Sequence, residues 1–137
     1  MSEELWLTAL RVAGALHFAT LAASWFAPVP RDWDGGLARL SPLHRRLALA
    51  QNAAAGAVSL FFGYASLAHA PAFLTGGEAG RLLAAGAALW WAGRLAALAW
   101  LRAWDEAGGR WMRAGLALLH AQCAVFAAGY GWLALGR

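Results

Sequence analysis

The sequence predicts an all-α fold, an integral membrane four-helix bundle running up-down-up-down, and three observations predict it. Of its 137 residues, 61% are hydrophobic and only 13% charged, about half of the roughly 25% found in ordinary globular domains. The apolar residues gather in four runs, each close to the ~20 residues that one helical crossing needs. No run alternates apolar and polar positions as the strands of a transmembrane barrel do. Without water at depth, helices that satisfy their own backbone groups are the structure left to such runs. Four crossings leave little for a second domain. One transmembrane domain over 1–137 is expected, with spans at about 5–27, 45–68, 80–103 and 112–135.

The punctuation between the runs agrees with their hydropathy. Span one is apolar apart from Arg11 and His17, and Pro28 and Pro30 close it. Ser2-Glu3-Glu4 before it lacks the basic opening of a cleavable signal peptide, so this span is expected to be retained. The connection over 28–46 is the longest and has room for a short interfacial helix around 33–40. Ser41-Pro42 offers an N-cap and a first-turn proline to span two, and Pro71 follows that span. Thr75-Gly76-Gly77-Glu78 has capping-box spacing before span three, and Asp105-Glu106-Ala107-Gly108-Gly109 reads as a turn before span four.

Orientation follows from the arginines, because cytoplasmic loops retain positive charge during insertion. The connections after spans one and three hold Arg31, Arg39, Arg45, Arg46, Arg102, Arg110 and Arg113, against Arg81 and the terminal Arg137 on the opposite face. Both termini are therefore expected on the non-cytoplasmic side of a bacterial inner membrane. Tryptophans mark the same boundaries: Trp25, Trp33, Trp100, Trp104 and Trp111 at the cytoplasmic interface, Trp6 and Trp132 at the other. An aromatic belt explains these seven. Trp90 and Trp91 lie near mid-depth, where large rings pack a core or wall a ligand cavity.

An ionisable residue at depth needs a reason, since a central arginine costs about 2.5 to 3.5 kcal/mol on insertion scales. Arg11 is near enough to its end of span one to snorkel. Arg94 lies about ten residues from the basic end of span three, roughly 15 Å by helical rise, beyond comfortable reach of the headgroups. No aspartate or glutamate lies within any span, so Arg94 needs water, carbonyls or a bound anion. A lipid phosphate, a carboxylated amphiphile or a haem propionate would pair with its guanidinium bidentately.

His17 and His120 fall at comparable depth, and Gln51 and Asn52 bring amides to the same zone. These four residues with Arg94, Trp90 and Trp91 form the candidate ligand site, a polar pocket opening toward the cytoplasm. A b-type haem between His17 and His120 is one occupant such a pair admits; the plainer reading is two hydrogen-bonded packing residues. The stripes Gly14-His17-Thr20-Ser24 and Asn52-Gly56-Ser59-Gly63-Ser66 should face other helices, by close packing if by nothing more. His44 and His69 lie at opposite span ends and read as interfacial.

Several classes are excluded. Cys123 is the one cysteine, so the paired thiols of a membrane oxidoreductase are absent. Asp34-Gly35-Gly36-Leu37-Ala38-Arg39 matches the opening of the CDP-alcohol phosphotransferase motif, but Ala48, Asn52 and Gly56 stand where its glycine and further metal-binding aspartates belong. Span one lacks the buried acid of a proton-coupled small multidrug transporter.

Arg11 early in span one, Trp25-Phe26-Ala27-Pro28 closing it, and Ser41-Pro42-Leu43-His44-Arg45-Arg46 entering span two together resemble small four-helix bacterial membrane proteins of the DoxX-like type. The resemblance covers mostly the first half and implies the fold, not an activity. The expected function is binding of an anionic or amphipathic small molecule, a lipid, quinone or haem, in the intramembrane pocket. Two alternatives stand beside it: a structural or accessory subunit of a membrane complex, and a small membrane enzyme acting on a lipid through its histidines. Expected partners are membrane lipids and a homo-oligomer or larger membrane complex; nothing reads as nucleic-acid binding.

Overall fold

The computed structural model describes residues 2–26, 32–105 and 108–136, and within them the chain is helical, without strands. The helices are α1 (Glu3–Phe26), α2 (Trp33–Ala38), α3 (Pro42–Ala68), α4 (Ala70–Thr75), α5 (Gly77–Trp100) and α6 (Arg110–Leu135). Of these, α1, α3, α5 and α6 are long and apolar enough to cross a membrane, which makes a multi-pass membrane protein the natural reading. At 24 to 27 residues and 1.5 Å per residue, each exceeds the ~30 Å hydrocarbon core. Pro28, Pro30 and Arg31 of the first connection, Glu106 and Ala107 of the last turn, and Arg137 lie outside the described residues.

The short elements sharpen the boundaries. The short helix expected in the first connection is α2, anchored by buried Leu37 and closed by an Arg39–Asp32 ion pair of 2.9 Å. Ser41 caps α3 as its spacing predicts, its Oγ accepting from the His44 N–H at 3.4 Å, with Pro42 in the first turn. The connection after α3 differs from expectation. Pro71 does not merely end a helix but starts α4, whose Ala70 and Phe73 are buried. Thr75 is the last residue of α4, and its Oγ1 donates to the Pro71 carbonyl at 3.0 Å. It therefore does not cap α5, whose N-cap is Gly76 without a side-chain bond. Span three ends at Trp100 rather than 103: Arg102 turns left-handed at φ 52°, held by Nε against Asp105 Oδ2 at 2.7 Å.

The most extensive helix pairings are α1 with α3 and α5 with α6. Glycine makes the first pairing. A Cβ on Gly14 would lie 2.7 Å from the Leu67 nitrogen, and one on Gly63 would lie 2.9 Å from the His17 Cβ. Farther along, Gly56 meets Leu21. Because lipid tails are as apolar as leucine, such contact and interhelical hydrogen bonds, rather than the hydrophobic effect, hold spans together.

Larger side chains join the two pairs. Phe62 of α3 packs on Gly86 of α5, Ser66 Oγ bonds Tyr130 Oη at 2.5 Å, and Phe73 of α4 lies 5.6 Å, ring to ring, from Tyr130. The core cluster, including Leu10, Phe62, Ala84, Ala87, Trp91, Phe126 and Leu133, fills this seam. Leu82, Leu89, Leu118 and Val125 point outward, as a lipid-facing surface requires.

Candidate functional site

At the centre of the seam His17 is 1% exposed. The ring is boxed by aromatic side chains: stacked on Phe126 at 5.0 Å, edge-on to Trp91 at 4.9 Å, and 6.2 Å from Tyr130. Both nitrogens are used. The Trp91 indole N–H donates to Nε2 at 2.9 Å, so Nε2 carries no proton; Nδ1–H then donates to the Ala13 carbonyl at 2.7 Å. This fixes a neutral tautomer by geometry alone.

One turn beyond Trp91, the Arg94 guanidinium lies 5.6 Å from the Trp90 ring centroid and 5.7 Å from that of Trp91. Cation–π attraction of about 0.5 to 2 kcal/mol offsets part of the cost of the charge. Arg94 is also within electrostatic reach of His17 and of the buried Cys123 thiol. Its Nε is buried without an acceptor, and so is Nε1 of Trp90. Across the seam, Thr20 Oγ1 lies 2.8 Å from both the Leu16 carbonyl and Gln122 Oε1, while the other end of the Gln122 amide is buried and unpaired. Unpaired buried polar groups cost about 1 to 3 kcal/mol each. Each such group in a folded chain calls for its own explanation.

Of the residues singled out from sequence, the structure joins His17 to Trp91 and sets Arg94 against Trp90 and Trp91; Thr20 and Gln122 form a further pair between α1 and α6. Gln51 and Asn52 are exposed on α3 and stand apart from this group. The stripe that Asn52 begins does face α1 at Gly63, and Ser59 and Ser66 are buried. His120 has different company from His17: its Nδ1 donates to the Leu116 carbonyl at 2.7 Å and its ring tilts on Trp104 at 5.2 Å. It precedes Phe126, the residue stacked on His17, by six positions, roughly 9 Å of helical rise. The two imidazoles therefore keep separate partners, and ligation by His17 Nε2 would displace the Trp91 bond. His44 bonds Ser41 Oγ at 2.7 Å and His69 packs edge-on to Tyr64, both exposed as interfacial residues should be. Among the described residues no cluster of three or more His, Cys, Asp or Glu could hold a metal ion.

A cavity of about 150 Å³ opens between α1 and α6, on the α4 side of His17. Its walls are apolar: Trp6, Leu10 and Ala13 on α1, with Phe126, Gly129 and Leu133 on α6. Gln122, one turn of α6 before Phe126, does not line it. As the one amide of span four, that residue carried a sequence signal, since an amide at depth must find a partner; its face was not legible without the packing of α6 on α1.

No protein-family model, no curated protein and no solved structure matches the chain.

Proposed function

We propose that this is a bacterial inner-membrane protein with both termini on the non-cytoplasmic side, whose Arg94 cluster holds the polar end of an amphipathic small molecule of the lipid or quinone class. The observation that carries the reading is the buried, unpartnered atoms of Arg94, Trp90 and Gln122 in a chain whose spans carry acids only in their first turns, at Glu3, Glu4 and Glu78. A lone guanidinium at depth recruits an acceptor. Trp90 and Trp91 give that acceptor an aromatic wall, and Thr20 holds the Gln122 amide in place. The chemistry these groups favour is recognition, since what they offer is hydrogen-bond donors and a positive charge.

The arginine-rich connections support the orientation. The register of α1 on α3, Gly14 beside Leu67 and Leu21 beside Gly56, supports successive spans running in opposite directions.

The test is purification in mild detergent, mass spectrometry of what extracts from the protein, and absorbance spectra before and after dithionite. A stoichiometric lipid or quinone, lost in Arg94→Gln while the fold persists, is the expected result. A Soret band that shifts on reduction would replace this reading with haem binding. An empty extract, with Arg94→Gln costing only stability or assembly, would favour an accessory subunit. The internally satisfied His17–Trp91 pair is the observation on that side, since it shows polar residues serving to join helices.

A further inference from the structure

We infer that the cavity between α1 and α6 is a second ligand site, one that holds a single acyl chain of a membrane lipid from the leaflet in which α1 begins. None of Arg94, Trp90 and Gln122 lines this cavity, so its occupancy is independent of any ligand held at the arginine.

On α1 the cavity runs from Trp6 to Ala13, and on α6 from Leu133 back to Val125. With α1 starting at Glu3 and α6 ending at Leu135, each wall stops roughly 15 Å by helical rise from its helix end. That is half of a ~30 Å hydrocarbon core. The cavity is therefore a groove along the helix axes that reaches from the membrane surface to mid-depth within one leaflet, the course that an acyl chain takes.

The floor of the groove is buried Leu10, Phe126, Tyr130 and Leu133, whereas Ala9 and Val125 at its rim are exposed. Between membrane-spanning helices such a rim opens sideways into hydrocarbon. Small residues make the space: Ala9 and Ala13 on one wall and Gly129 on the other, where an added Cβ meets nothing within 4 Å. The walls do not close on it, because Gly14 and Gly63 seat α1 on α3 while α6 lies along α5. An apolar void of about 150 Å³ stays dry and takes up a hydrocarbon segment.

The lining selects against polar occupants. Only Trp6 and Tyr130 among its side chains carry a polar atom; the Tyr130 hydroxyl is engaged by Ser66 at 2.5 Å, and Trp6 stands at the membrane-surface end. A polar head drawn into the groove would forfeit its hydrogen bonds. An alkyl chain forfeits nothing and returns to the walls the dispersion contacts that an empty void denies them. Because the chain passes from one hydrocarbon environment to another, packing alone holds it, and a preference of about fivefold over the rest of the lipid-facing surface is expected.

The test is photolabelling of the full chain in nanodiscs of phosphatidylcholine that carry a trace of the same lipid with a diazirine at mid-chain, the adducts being mapped by peptide mass spectrometry. Adducts on Ala9, Ala13 and Gly129 should exceed about fivefold those on Phe61 and Leu82, which are exposed on α3 and α5 at similar distances from their helix ends. Gly129→Leu fills the groove and should bring this excess down to the background. Gly115→Leu, the same change on α6 where an added Cβ also meets nothing, lies outside the groove and should leave the excess intact. Should Gly129→Leu not fold, Ala9→Leu fills the groove from the opposite wall. Even labelling of all exposed residues at this depth would overturn the site, as would an excess that survives in the folded Gly129→Leu variant. Labelling of the groove by adamantane diazirine in an excess that the chain probe does not match would replace the acyl chain with a compact ring.

Discussion

Trp91 Nε1 donates to His17 Nε2 at 2.9 Å across 74 residues of sequence, tying α5 to α1 at a point where the imidazole is otherwise sealed by Phe126 and Tyr130. Interhelical hydrogen bonds in membranes average only ~0.6 kcal/mol. This acceptor has no route to water, so its loss should fall nearer the ~1 to 3 kcal/mol of an unsatisfied buried group. Trp91→Phe should destabilise by that amount, and His17→Leu combined with it should cost less than the sum of the two. A double-mutant cycle by reversible unfolding in mixed micelles measures this, and a coupling energy near zero would refute it.

Gly14 and Gly63 should tolerate no side chain. Gly14→Leu or Gly63→Leu drives a Cβ into the facing helix at under 3 Å, and overpacking of this kind costs about 1 to 3 kcal/mol or splits the pair. Gly93 and Gly115, whose added Cβ meets nothing, are the controls: their alanine variants should be neutral or stabilised by about 0.5 to 1 kcal/mol. Thermal unfolding of the four variants checks the contrast, which disappears if α1 and α3 do not touch there.

Tyr130→Phe should be mild and Tyr130→Ala severe. The phenylalanine keeps the ring packing on Phe73 and Phe126 and loses the bond to Ser66. Ser66 can then turn to a backbone carbonyl of the preceding turn, so the loss should stay near ~0.6 kcal/mol. Removing the ring opens a core cavity at about 3 to 5 kcal/mol. Equal effects of the two variants would mean that the hydroxyl, not the ring, dominates.

Cysteine labelling tests the orientation. In a Cys123→Ala background, Ser41→Cys and Gly109→Cys should react with a membrane-impermeant maleimide only in inside-out vesicles, and Ser2→Cys and Thr75→Cys only in intact spheroplasts. The reverse pattern would invert the topology. Cys123 itself is fully buried and should stay unlabelled in the folded protein from either side.

The four long apolar helices, the Ser41 cap and the short helix α2 were legible because each is written in local sequence: a run of apolar residues, a serine before a proline, a tryptophan beside a charge. α4 was not, since six residues after Pro71 carry no periodicity of their own and fold because Ala70 and Phe73 find the bundle. For the same reason the capping-box spacing at Thr75 misled: α4 claims that hydroxyl first.

Local composition is enough to mark the groups that are costly in hydrocarbon. Arg94, His17, Trp90 and Trp91 stand out wherever the helices go, because a charge or N–H group taken into hydrocarbon carries a cost until it finds a partner. Which of them meet is a matter of helix rotation and pairing. Gly14 and Gly63 set how closely α1 lies on α3, and that packing turns His17 toward Trp91 instead of His120 and leaves Gln51 and Asn52 outside. Tertiary structure alone decided that His17 is satisfied from within while Arg94 is not, because a hydrogen bond needs its partner within about 3 Å, a distance no sequence spacing specifies across 74 residues.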